Sequence, residues 1–435
     1  MHITFYKPAF GPGKNTDAME PLVFGILSAL TPPEIERRLV DERLEDFPED
    51  LETDLVAMTV ETFTARQAYA RADQLRARGI KVLLGGFHPT FLPEEAGEHA
   101  DANVLGDAEG VWGEVLSDLE RGSLRTRYGA APPPALNGLR VDRSIFAGKR
   151  YTPLHLVQAG RGCRYHCDFC SIHAFYGASI RMRPLPGLLE ELRNLPRKTF
   201  FFVDDNLLGQ REECKALLEA MIPLNLRWFC QCSLDIARDP ELLELLARAG
   251  CITVLVGFES LNESNLRQMR KAWSLAGVGH EEALRRFRAK GISVYGTFVF
   301  GYDGDAPDSF QRTLDFSIDH RLILANFNPL TPTPGTPLYD RLRTEGRLLH
   351  AAWWLDPDYR YGDATFRPVG MSPEQLRDGC YRIRTQFHSL TSITRRALDF
   401  RANARSPRRL SIHLAANLIS RREIQRKQGM HLHRS

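Results

Sequence analysis

Three thiols fall in one short segment, Gly160-Arg161-Gly162-Cys163-Arg164-Tyr165-His166-Cys167-Asp168-Phe169-Cys170-Ser171. Their CxxxCxxC spacing lets Cys163, Cys167 and Cys170 turn toward one face of a metal centre. Three thiolates can hold three irons of a [4Fe-4S] cluster and leave the fourth iron open to an outside ligand. A structural zinc site closes its tetrahedron with four protein ligands, and His166 or His173 could supply the fourth. Both metals stay open on spacing alone. The remaining thiols lack such spacing: Cys214, Cys251 and Cys380 read as buried small residues, and Cys230 and Cys232 share a strand face without partners.

Short strands must position these thiols. Residues 2–7, 54–60, 81–86 and, more weakly, 102–105 are apolar runs, with a helical stretch at 65–79 between two of them. This βαβ patterning predicts a parallel sheet covered on both faces, with ligands beyond the carboxyl ends of its strands. GGFHPT at 85–90 and the segment from Leu105 to Glu109 fall at such ends. Residues 121–138, rich in Gly, Ser and Pro, read as a linker. Strands are then predicted at 154–159, 200–204, 228–232, 252–257, 293–300 and 324–329, separated by helices at 186–195, 211–221, 240–249 and 280–290. Six βα units make an incomplete barrel whose chemistry belongs at its strand ends.

The predicted fold is therefore α/β. A Rossmann-like parallel sheet over residues 1–130 precedes a partial (β/α)6 TIM-like barrel over 150–340 and a helical region over 341–435. In the last region, 373–388 and 407–427 carry many arginines; they read as solvated amphipathic helices on the barrel, or as a contact for an acidic substrate, lipid headgroup or partner. A formal charge of +3 over 435 residues is too mild to imply nucleic acid. No stretch approaches the ~18 consecutive apolar residues of a membrane span. The opening MHITFYKPAF lacks an export layout, so a cytoplasmic protein with reduced thiols is expected.

With Phe169 as the aromatic of CxxxCxΦC, the chain resembles the radical S-adenosylmethionine (SAM) superfamily. The resemblance implies SAM bound to the open iron, one-electron reduction by a donor such as flavodoxin or ferredoxin, and a deoxyadenosyl radical that abstracts hydrogen from the substrate. Asp205 and Asn206 in Val203-Asp204-Asp205-Asn206 resemble the position that receives the SAM amino group, and Ser233 the one that meets its carboxylate. Gly257-Phe258-Glu259-Ser260 matches the GxES element, which implies Glu259 near the ribose or amino group. Thr297–Gly301 and Asn328–Pro332 resemble the fifth and sixth barrel strands.

A Rossmann-like domain ahead of such a barrel resembles the cobalamin-binding subfamily. The matching residues are Thr59 and Val60 after one strand, Gly85, Gly86 and His88 in GGFHPT, and Gly106 in GDAEG. The DxHxxG motif that places histidine under cobalt is absent, so a lower ligand from His88 is not assumed. This resemblance implies methylation of an unactivated carbon in a small-molecule, natural-product or lipid-like substrate. Oxidative ring closure or ring rearrangement is the alternative, and a non-catalytic iron-sulfur or zinc protein is the alternative of another class. Tyr295, Phe298, Trp353, Trp354 and Tyr359 could line an apolar substrate pocket, although such residues more often form core.

Overall fold

The computed structural model describes residues 1–432 apart from 12, 130–131 and 276–277. Two six-stranded parallel sheets organise it. The first runs β2-β1-β3-β4-β5-β6, from β1 (His2–Lys7), β2 (Glu36–Asp41), β3 (Leu55–Thr59), β4 (Lys81–Gly85), β5 (Ala102–Leu105) and β6 (Arg127–Gly129). Side chains alternate across it as the pleat requires: Leu55 and Ala57 enter the core with Phe5, Phe24 and Trp112, while Val56 and Met58 enter the opposite one with Tyr69. Trp353, Trp354 and Tyr359 complete this second core, so these three aromatics hold later chain against the first sheet.

Two strands depart from the sequence reading. Glu36–Asp41 was not predicted, and the expected linker contains Arg127–Gly129, hydrogen-bonded to β5; residues 130–131 of that linker lie outside the described ones. Both are edge strands. An edge strand has only one paired neighbour and tolerates the charges of ERRLVD and the brevity of RYG, which hides it from an apolar-run criterion.

The second sheet runs β14-β13-β12-β11-β10-β7. Its members are β7 (His155–Val157), β10 (Thr199–Phe202), β11 (Arg227–Cys232), β12 (Cys251–Glu259), β13 (Ser293–Phe300) and β14 (Leu324–Pro329), all paired in parallel. A two-residue antiparallel pair, β8 (Gly160–Arg161) with β9 (Arg181–Met182), brackets the cysteine segment. Its core carries Phe200, Trp228, Val254, Phe298 and Phe327, and the helix Pro373–Phe387 adds Leu376, Ile383 and Phe387. No described helix is long and apolar enough to cross a membrane.

Candidate functional site

Carboxylates at the end of β10 shape the cysteine loop. Asp204 accepts hydrogen bonds from the backbone N–H groups of Ala159, at 3.0 Å, and Gly160. Asp205 Oδ2 accepts from the Gly162 N–H at 2.8 Å. Gly162 has φ +93°, and a Cβ there would lie 2.0 Å from the Ser179 carbonyl oxygen, so no larger residue fits just before Cys163. Burial pushes the Asp204 carboxyl up to about 7, against those N–H groups, and raises Asp205 as well. Asp205, implied by the resemblance to meet SAM, thus also fastens the loop.

The three thiols face different neighbours. Asn206 Nδ2 lies 3.9 Å from Cys163 Sγ and 3.4 Å from Ser233 Oγ, and the Ser233 N–H donates to Asn206 Oδ1 at 3.3 Å. Cys170 precedes the helix Ser171–Tyr176, and backbone N–H groups of Ile172 and His173 favour its thiolate against burial. Burial pushes the Cys167 thiol up to about 12, opposed chiefly by the Lys271 ammonium. Asp168 ties the loop to the far sheet edge: its Oδ1 accepts from Tyr302 O–H at 2.6 Å, and its carbonyl accepts from Leu338 N–H. Phe169 packs on the edge of the second sheet's core.

Lys271 was not anticipated. Its Nζ lies 2.9 Å from Glu259 Oε1, and both side chains are about nine-tenths buried. Glu259 has φ +63°, an uncommon backbone for a non-glycine residue, and Gly257 leaves room for its carboxylate: a Cβ at Gly257 would stand 2.1 Å from Glu259 Oε1. Trp273 stacks on Tyr165 of the cysteine loop with ring centroids 3.4 Å apart and lies beneath Lys271. In sequence Lys271 follows Arg270 and resembles any solvated lysine, so no local signal marks it. Ser260 turns away, accepting from Asn262 N–H and Asn265 Nδ2 to close a turn.

A cavity of about 270 Å³ opens between the carboxyl ends of the two sheets. Thr59, Gly85, Gly86 and Gly106 border it from the first sheet, over Leu22, Val23, Ile26 and Leu27; Arg161 and Tyr176 border it from the second. Val60 and His88 do not. Val60 pairs its backbone with Gly85 and His88, while fully buried His88 sets Nε2 3.0 Å from Glu95 Oε1 and Nδ1 3.3 Å from Thr62 Oγ1. Both ring nitrogens thus face protein partners. Arg161 closes the junction, with Nη1 2.9 Å from Asp107 Oδ1, Nη2 on Glu109 and Nε on Gln158. Arg181 and Tyr176 also donate to Asp107.

A family model described as the Radical SAM superfamily matches residues 157–317. The chain is 32% identical over 389 residues to bacteriochlorophyllide d C-12(1)-methyltransferase of Chlorobaculum tepidum, covering 86% of this chain and 84% of that one. It is 30% identical over 352 residues to the C-8(2)-methyltransferase of the same organism, covering 76% and 78% respectively. Among solved structures, that of the cobalamin-dependent SAM radical enzyme OxsB superposes with a TM-score of 0.69 at 15% identity, covering 97% of this chain and 71% of that chain. The chain belongs to the radical SAM superfamily, together with these two methyltransferases.

It is accordingly an enzyme whose cofactors include a [4Fe-4S] cluster and SAM. The donor set fits the cluster: three thiols in one loop, each with its own neighbours, suit a centre in which each sulfur meets a separate iron.

Proposed function

We propose that this chain is a cobalamin-dependent radical SAM methyltransferase acting on an unactivated carbon of a large apolar natural product, of the tetrapyrrole or lipid-like kind. The observation that carries this reading is the cavity between the sheets, bordered on one side by Thr59, Gly85, Gly86 and Gly106 and on the other by Arg161, two residues before Cys163. Its glycine wall and apolar floor suit a broad planar ring. Two relatives are named for methyl transfer to bacteriochlorophyllide d, and OxsB is named as holding aqua-cobalamin and SAM.

On this reading the chain comprises a Rossmann-like cobalamin-binding domain over 1–130, a partial (β/α)6 TIM-like barrel over 150–340 and a helical region over 341–435. When bound, the cluster supplies the electron that cleaves SAM to a carbon radical, and cobalamin supplies the methyl group. Cys163, Cys167 and Cys170 hold the cluster. Asn206 and Ser233 orient the methionyl end of SAM beside Cys163, while Glu259, held by Lys271 over Gly257, receives its amino or ribose groups. Asp204 and Asp205 hold the loop backbone, and Ser260 serves the turn instead of the cofactor. His88, engaged by Glu95 and Thr62, would hold the fold of this domain and would not serve as a ligand to cobalamin. The reductant is a flavodoxin- or ferredoxin-type protein of the cytoplasm.

The test is anaerobic reconstitution with iron, sulfide and hydroxocobalamin, followed by dithionite and methyl-labelled SAM with a chlorophyllide-type substrate. About four irons and about one cobalt per chain, with deoxyadenosine and labelled product, support the reading. Iron and deoxyadenosine without cobalt would remove cobalamin from it.

A further inference from the structure

The last long helix, Pro407–Lys427, uses its inner face on polar clasps. His413 Nε2 meets the Ile393 carbonyl at 3.1 Å, Asn417 Nδ2 donates to the Ile323 carbonyl at 2.9 Å, and Arg421 Nη1 donates to the His388 carbonyl at 3.0 Å. The middle of its outer face is apolar, between exposed Arg408 and Ser411 on one side and Arg422 and Gln425 on the other. Leu414, Leu418 and Ile419 are 38%, 50% and 40% exposed, and Arg422 follows Leu418 by one turn. The helix Leu390–Ala397 lies alongside, because the contacts to His388 and Ile393 bring it there. It exposes Leu390, and the turn after it exposes Leu398 and Phe400. Exposed apolar side chains of this size, gathered on two helices that pack together and on the turn between them, point to an interaction surface.

Charge chooses the occupant. Residues 400–422 contain Arg401, Arg405, Arg408, Arg409, Arg421 and Arg422 and no acidic residue. Arg405, Arg408 and Arg409 reach the Lys290 carbonyl, Thr199 and the Gly291 carbonyl. Exposed Arg401 and Arg422 have no side-chain partner among the described residues. A second copy of this face would set arginines against arginines. We propose that this face docks in the plane of an anionic lipid surface, with Leu414, Leu418, Ile419 and Phe400 entering the acyl boundary and Arg401 and Arg422 meeting headgroup phosphates. Thr199 and Ser293, both held by this helix, begin β10 and β13, so the helix crosses the amino ends of the strands. The cysteine loop lies at the opposite ends, and docking leaves it clear. This inference does not depend on the reaction proposed above.

The test is co-sedimentation of the full chain with phosphatidylcholine vesicles containing roughly one-third phosphatidylglycerol, against phosphatidylcholine alone, at low and high salt. Anionic vesicles should bind at least about tenfold more tightly, with the difference shrinking as salt rises. Leu414→Ser/Leu418→Ser and, separately, Arg401→Gln/Arg422→Gln should each weaken that binding roughly tenfold with an unchanged melting temperature. Equal binding to both vesicles, no binding, or binding untouched by the arginine pair would overturn the proposal. Self-association in sedimentation velocity that Leu414→Ser/Leu418→Ser abolishes would also overturn it, in favour of a dimer face.

Discussion

Arg161 Nη1 lies 2.9 Å from Asp107 Oδ1, an ion pair that joins the loop carrying Cys163 to the chain just past β5 of the other sheet. Both side chains are over nine-tenths buried, and Glu109 and Arg181 complete the network. Removing one member strands the others in a poor solvent. Arg161→Ala should therefore destabilise the chain by about 3–5 kcal/mol, and iron and cobalt retention should fall together. Denaturant unfolding and metal analysis check this; loss of iron alone would show that the two sides are not coupled here.

Cys167→Ala should abolish deoxyadenosine formation from SAM while leaving far-UV circular dichroism intact, since a buried thiol gives way to a slightly smaller residue. Gly162→Ala should act through the backbone instead. Its Cβ would lie 2.0 Å from the Ser179 carbonyl oxygen, so iron incorporation should drop with all three thiols present. Thiol titration beside iron analysis distinguishes the two variants.

Gly86 has φ +105°, and a Cβ there would meet the Val60 carbonyl oxygen at 2.9 Å. Gly86→Val should strain the turn and crowd the cavity border, weakening cobalt retention at least about tenfold while iron content holds. Visible spectra after reconstitution and desalting report both. Unchanged cobalt would place the corrin elsewhere.

His388 is buried beneath the arginine-bearing helices, with Nδ1 3.0 Å from the Arg384 carbonyl oxygen. Burial and the nearby Arg396 and Arg421 push it down to about 4. The unfolded chain takes up its proton near 6.5, whereas the folded chain resists until about 4. Stability is therefore fully present above about pH 6.5 and declines as pH falls toward 4, by as much as about 3 kcal/mol from this group. Urea unfolding across that range should show the slope, and His388→Phe should flatten it.

Arg396 is fully buried and donates to the carbonyls of Leu322, Ile323 and Phe387 and to Asn417 Oδ1, over the ring of Phe387. Arg396→Met keeps the volume and takes the guanidinium donors from the Leu322 and Phe387 carbonyls and Asn417 Oδ1, while the Ile323 carbonyl keeps its bond from Asn417 Nδ2. It should cost about 3–5 kcal/mol, read as a lowered unfolding midpoint. Arg396→Lys should recover only part, because one ammonium cannot span the fork.

Much of the architecture was legible in the chain. The strands at 293–300 and 324–329 and the helices at 211–221 and 407–427 coincide with their predicted bounds, because each is a continuous apolar or helical run closed by Gly, Pro or a polar turn. Glu36–Asp41 and Arg127–Gly129 escaped because edge strands need little apolar signal. Trp353, Trp354 and Tyr359 proved to be core against the first sheet, where only the path of the later chain could have placed them.

At the site, CxxxCxxC spacing by itself determined that there is one metal centre, since three sulfurs within eight residues can reach it whatever surrounds them, and left open whether that centre is a cluster or zinc. Which polar groups meet those sulfurs was decided by the sheet. Parallel strands whose paired residues lie 45 apart in sequence (His155 with Phe200) and 28 apart (Thr199 with Arg227) end side by side, and so Asp204, Asn206 and Ser233 converge on the loop while Ser260 and His88 turn to other partners. Lys271 on Glu259 and Arg161 on Asp107 have no sequence signature, because a buried ion pair is defined by the distance between two groups and the loss of water around them, and both arise only when the chain has folded.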